Sequence, residues 1–441
     1  MRNSHASARI QTSSFRLRAA FAVAAFAALA ACAPAATYYV SPTGSDSNVG
    51  TIDKPFANLY RATSKTLPGD VVYLRGGTYA FTCPQTVQGT GSSLAQLTVS
   101  SYPGETAVLD FSGSTAGRDG LQIAGKYVTV MNLTVQNSPK SNVSAWGASY
   151  VKIKNIKSTG SWAAGILVGA TNPGGAHDIE VSGCDVSNCV RVNAGLSASQ
   201  WQPGIQTYQC DAVTVANNNV HQNYGEGIGF CTTTGSKVTG NQVWDNFSVN
   251  IYLDNVDSVS VTSNFVYGTG DTRFFRGTRG ASGISLCVEG VTNPIGLRNV
   301  EISNNTITNC FAGIWYSGFG LGGGLQNCNI SRNTIYKTTG GALLWIDADT
   351  RHVGNLIQGN VFQQAGSNGL CTISSATGLG LGNNCWYGGN AGLGVQATDL
   401  LTNPLLLRPG SYSLADYMLS ETSPCISKGI GTVQATSSTS I

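Results

Sequence analysis

The chain has 441 residues and a formal charge of +3, with 11% charged residues and 55 glycines; an ordinary soluble domain carries about 25% charged residues. Asn, Gly, Ser and Thr fill the difference, and they disfavour helix interiors. The composition therefore excludes a helix-rich enzyme and favours short strands joined by tight turns.

The first 36 residues are expected to be a leader. Arg2, Arg9, Arg16 and Arg18 precede an apolar run from Ala19 to Ala31, the pattern of a secretory signal, and shorter than the roughly 20 apolar residues of a membrane span. Two exits are open: "LAAC", ending at Cys32, resembles a bacterial lipidation box and would anchor a lipoprotein, whereas the following "APAA" suits ordinary cleavage. Loss of the leader removes four arginines and no acid, taking 25 basic residues to 21 against 22 acidic, a net −1. No basic excess remains to bind nucleic acid. Of the 12 cysteines, those in the mature chain are read mainly as buried thiols, and no His stands in a zinc-binding spacing.

Residues 37–441 read as one domain, expected to be a monomer. In "KPFANLYRATSKTLPGD", Phe56, Leu59, Thr63 and Leu67 fall at helical spacing, predicting a helical cap within about 50–80; a second cap is expected at about 400–441. Between them runs a repeat. "VTVANNNVHQN", "KVTGNQVWDN", "VSVTSNFVYG", "VEISNNTITN", "CNISRNTIYK" and "LIQGNVFQQ" align Asn218, Asn241, Asn264, Asn305, Asn333 and Asn360 in one column. The first two spacings are 23 residues, and each unit holds three strand-like runs, which predicts a parallel β-helix. Stacked about 4.8 Å apart, the Asn amides would bond rung to rung at a bend made once per turn. A second strand places Ile205, Ile228, Ile251, Ile284 and Ile314 inward by alternation. Its outward columns are Gln206, Gly229, Tyr252, Ser285, Trp315 and Tyr208, Cys231, Asp254, Cys287, Ser317.

The opening stretch Tyr38 to Tyr79 ("YYVSPTGSDSNVG…LRGGTY") and the closing stretch Thr402 to Gly429 ("TNPLL…SPCISKG") resemble the ends of secreted right-handed parallel β-helix proteins of the pectate-lyase-like superfamily, the first resembling the pectate lyase L type. The resemblance implies an all-β, single-stranded, right-handed solenoid with an N-terminal capping helix. It implies no particular activity, because lyases, hydrolases, epimerases and binding proteins share that scaffold. The clustered aspartates and following lysine of the pectate lyase L type are missing, as are the paired-Asp and Gly-His-Gly motifs of polygalacturonases and the Asp-Pro-His-Asp motif of alginate epimerases. No catalytic residue carries over by motif.

Insertions point to the site instead. The rung from Cys184 to Asn218 is lengthened before its Gly-Ile strand by "CVRVNAGLSASQWQPG", and the rung from Asn264 to Asn305 by "GTGDTRFFRGTRGAS" before its strand and "EGVTNPIGLRN" after it. These make two walls around the short turns "YGEG" and "FSVN". One wall offers Arg191 and Trp201; the other offers Asp271, Arg273, Phe274, Phe275, Arg276 and Arg279. Rings stack on sugars and arginine forks grip carboxylates, so the expected partner is an acidic polysaccharide.

The candidate catalytic residues are Glu226, Arg276, Tyr252 and Asp271, with Arg273, Trp201, Gln206, Tyr208, Asp254 and Trp315 as substrate-binding residues. Asp254 lies five places from Glu226 in the register, roughly 16 Å, beyond the roughly 5–9.5 Å of a glycosidase acid pair. Asp271 is therefore the expected partner of Glu226. Asp254 and Asp257 could alternatively hold Ca²⁺ with oxygen ligands. The leading reading is a polysaccharide lyase acting on a uronate polymer by β-elimination; the alternatives are a glycoside hydrolase using Glu226 and a loop acid, and a non-catalytic surface carbohydrate binder.

Overall fold

The computed structural model describes residues 34–195, 200–290 and 295–431, so the expected leader and Cys32 lie outside the described residues. Every pairing between the described strands is parallel, and the strands form one 24-stranded and one 12-stranded sheet. The chain is a parallel β-helix. Ile205, Ile228, Ile251, Ile284 and Ile314 stand in register on successive coils and are fully buried. In the other sheet Val220, Val243, Val266, Ile307, Ile335 and Phe362 do the same. Each such side chain contributes about 1.5–3 kcal/mol by leaving water.

The bend that closes each coil has a two-residue chemistry. The first residue has positive φ: Asn217 (56°), Gly240 (66°), Ser263 (57°), Asn304 (56°), Arg332 (55°), Gly359 (69°) and Asn383 (53°). The second is the ladder asparagine. Asn241 Oδ1 accepts both the backbone and side-chain N–H of Asn218 at 2.9 Å, and Asn264 Oδ1 receives the same pair from Asn241. The ladder continues through Asn305, Asn333, Asn360 and Asn384. Each asparagine thereby satisfies backbone groups that a buried bend would strand.

The N-terminal helix is shorter than its periodicity predicts, spanning only Leu59–Thr63. Leu59 and Ala62 pack into the core, but Phe56 bridges to Val40 and Leu67 is exposed. The Asp70 carboxylate accepts the N–H of Leu67 and of Ala36, which turns the chain into the first coil instead of extending the helix. Residues 405–430 run back along the 12-stranded sheet, where Tyr417 meets Phe265 and Tyr336. His221, Trp244 and Tyr267 form a stacked ladder on the same flank, ending on Tyr412. No helix of the described residues is long and apolar enough to cross a membrane.

Candidate active site

Glu226 sits between two glycines that leave no room for a side chain. A Cβ on Gly225 would lie 2.0 Å from the Gln202 carbonyl oxygen, and one on Gly227 would lie 2.3 Å from that of Asn250. Neighbouring coils clamp the turn: Gly204 N–H donates to the Glu226 carbonyl at 2.7 Å, and Gly227 N–H to that of Val249 at 3.0 Å. Beneath it runs a second asparagine ladder. Asn246 Oδ1 accepts the Asn223 amide N–H at 2.9 Å, and Asn246 Nδ2 donates to the Val220 carbonyl and to Asn250 Oδ1 at 3.0 Å each. The carboxyl of Glu226 is thus carried on a rigid floor.

Strands Ile205–Tyr208, Ile228–Thr234, Val249–Asp257 and Ser282–Val288 present the expected outward columns in register. Between the long loops they line a groove of about 490 Å³ that gathers Glu226, Tyr252, Asp254, Gln206, Tyr208, Trp201, Arg276 and Trp315. It also gathers Arg279, expected in the wall, the outward-facing Cys231 and Cys287, and Glu289 and Ser248, which the sequence did not single out. Glu289 follows Ser285 and Cys287 in the same alternation, so the period of two could have placed it outward.

Two arginines form one wall. The Arg276 guanidinium lies over Trp201 at 4.5 Å and reaches Ser248 Oγ at 3.5 Å; that of Arg279 lies over Phe311 at 4.7 Å and Trp315 at 5.8 Å. Neither forms an ion pair among the described residues. Burial, and then the Arg276 cation, hold Arg279 below its ordinary pKa. Two like charges held side by side attract an anion.

The rest of the groove is acidic. Tyr252 donates to Glu289 Oε1 at 2.5 Å, while Asp254 Oδ1 accepts the Glu289 backbone N–H at 2.8 Å and the Asn255 amide at 2.8 Å. Cys231 donates its S–H to Asp254 Oδ2 at 3.3 Å. Burial, reinforced by Glu289 and Asp254, raises Glu226 well above the ordinary carboxyl range despite the opposing Arg276 charge. Burial also raises Asp254 and Tyr252, and pushes Cys287 up to about 12. Burial thus favours the protonated form of both Glu226 and Tyr252.

Several expectations are corrected. Asp271 and Arg273 do not enter this groove: Asp271 caps the turn Thr272–Phe274, its carboxylate gripped by Arg273 Nε at 2.9 Å, and Arg273 otherwise faces solvent. A local Asp-Arg pair two residues apart satisfies itself before it can serve a distant acid. Asp271 is therefore not the partner of Glu226, whereas Asp254, set aside on its strand offset, is close enough to raise the Glu226 pKa. Counting residues along a strand measures backbone spacing, not the reach of a glutamate into a shared groove. Arg191 lies beside Trp162 in a separate cavity. Asp254 and Asp257 share no Ca²⁺ site: Asp257 is held by Arg298 at 2.7 Å, and Asp254 by backbone and side-chain donors. Among the described residues no three His, Cys, Asp or Glu side chains converge as metal ligands.

The comparisons with known proteins agree with this fold. Residues 38–257 match a family model described as Pel9A-like, right handed beta helix region, and residues 200–322 match one for a right handed beta helix region. The chain is a pectate-lyase-like right-handed parallel β-helix protein. It is 40% identical over 85 residues to pectate lyase PEL9 of Emericella nidulans (19% of this chain, 21% of that protein). It is 32% identical over 141 residues to pectate lyase L of Paenibacillus polymyxa (31% of this chain, 30% of that protein). The alignments thus span less than a third of either enzyme. A solved rhamnogalacturonan lyase superposes with a TM-score of 0.53 at 17% identity, covering 79% of this chain and 87% of that one.

Proposed function

We propose that this protein is a polysaccharide lyase that cleaves a uronate-containing polysaccharide by β-elimination outside the cytoplasm. One observation carries the reading: Arg276 and Arg279, without an ion pair among the described residues, stand on aromatic faces in one groove with the buried carboxyl of Glu226 and the hydrogen-bonded Tyr252–Glu289 pair. The similarity to pectate lyases supports the chemistry, and the leader pattern supports export.

In this mechanism the two guanidinium groups neutralise the substrate carboxylate and acidify the adjacent C5 proton. The Tyr252 oxygen takes that proton as its own passes to Glu289 across their hydrogen bond, so no free phenolate forms. The C5–H electron pair becomes the C4–C5 double bond, the C4–O bond breaks, and the leaving oxygen takes the Glu226 proton. Trp201 and Trp315 supply ring faces for the sugar.

The mutual influence of Glu226, Asp254 and Glu289 favours a second reading, a glycoside hydrolase in which Glu226 is the acid and one of the other carboxylates the base or nucleophile. Incubation with a panel of acidic and neutral polysaccharides separates the two. Ultraviolet-absorbing unsaturated ends support the lyase; new reducing ends without that absorbance support the hydrolase. Binding with no product would leave a carbohydrate-binding protein and overturn both.

A further inference from the structure

We propose that the groove continues toward the N-terminal coils into a distal station, centred on Trp146, that binds a carboxylate-bearing sugar of the same chain whose bond is cleaved beside Glu226. This rests on the acidic-polysaccharide reading and extends it to a second set of residues.

Trp146, Gly169, Tyr208, Cys231 and Asp254 face one another on successive coils. At 4.7–4.9 Å per rung, four steps separate Trp146 from Asp254 by about 19 Å, along the outward face that lines the reaction groove. Tyr208 joins the two regions: it lines that groove and stacks on Trp146, with centroids 6.4 Å apart and rings within 12° of parallel. The intervening position is Gly169, where a Cβ would lie 2.5 Å from the indole. A side chain there would displace the ring from Tyr208.

Trp146 is 46% exposed, so this ring is not core packing. It borders a separate cavity of about 350 Å³ that contains Arg118, Lys140 and Asp119. Arg118 has no ion pair among the described residues, and Lys140 stands 4.0 Å from Asp119, whose carboxylate already accepts the Ser141 N–H at 3.1 Å. The cavity therefore offers an indole face beside a net positive charge, which suits the apolar face and carboxylate of a uronate. Neutral sugars would use the ring and leave the cations idle.

The test uses the full chain with size-graded oligogalacturonates and oligoalginates, some too short to reach from Asp254 to Trp146 and some long enough. In the proposed arrangement Trp146→Ala and the pair Arg118→Ala with Lys140→Ala each raise KM for the long oligomers about tenfold, leave the short ones unchanged, and leave thermal unfolding in place. Trp146→Phe restores most of the loss. Equal effects on short and long oligomers, or none on either, would overturn the distal station while the lyase reading stands. If the wild-type protein neither binds nor cleaves any of these oligomers, the acidic-polysaccharide reading fails and the station falls with it.

Discussion

Replacing Asn246 by alanine tests whether the second asparagine ladder fixes the floor of the groove. Asn246 is buried, with Oδ1 accepting from the Asn223 backbone at 3.3 Å and side chain at 2.9 Å, and Nδ2 donating to the Val220 and Trp244 carbonyls and to Asn250 Oδ1. Truncation strands the Asn223 N–H and removes further bonds to groups that keep other partners. At about 1–3 kcal/mol for a stranded buried donor and about 1 for a further hydrogen bond lost, the cost is roughly 3 kcal/mol. The turn Tyr224–Gly227 lies directly above, so activity should fall with stability. Urea denaturation followed by tryptophan fluorescence reads the first effect, and the rate on the active polymer reads the second. The exposed Asn219, on strand Asn219–His221, serves as the surface control, its alanine variant changing stability by less than about 0.5 kcal/mol. A loss at Asn246 no larger than this control would refute the reasoning, because the buried N–H would then have found another partner.

Glu226→Gln should reduce turnover by about 100-fold or more while removing a pH-dependent loss of stability. The folded state holds the Glu226 proton more tightly than the unfolded chain, so wild-type stability falls as pH rises from the ordinary carboxyl range through the raised folded value; pH-dependent denaturation should show that slope in the wild type and a weaker one in the variant. Arg276→Ala combined with Arg279→Ala should lower kcat/KM on the acidic polymer by about 100-fold or more, measured from initial rates with unfolding midpoints as a control. Asp271→Asn should leave kcat/KM within about twofold of wild type, since its carboxylate serves Arg273 and the local turn. Gly227→Ala should abolish activity and lower the unfolding midpoint, as its Cβ would meet the Asn250 carbonyl.

The repeat made the architecture legible before any coordinates. An asparagine recurring in every unit, twice at a spacing of 23 residues, with an apolar residue two places on, has one economical solution, and the same Asn218–Asn241–Asn264 ladder and Val220–Val243–Val266 column stand in the structure. The outward columns followed from the same period of two, and they carried Tyr252, Tyr208 and Asp254 to the groove wall. The insertions on either side of the uninserted rungs pointed to Trp201 and Arg276 as its sides. Even the Asn223–Asn246 ladder was present in the 23-residue spacing, beside the more conspicuous first ladder.

What the sequence left undecided was the direction and company of each side chain. Asp271 and Arg276 lie in one loop, yet a two-residue Asp-Arg pairing turns the first away while cation–π contact with Trp201 holds the second in the groove that Glu226 lines. Glu289 stands 63 residues beyond Glu226, and only the stacking of coils puts the two carboxyls within range of each other. The repeat is a local property, written in each rung by periodicity and turn chemistry. The site's charge balance is a property of side chains from several rungs and two loops, and it came into being only when the solenoid wound them together.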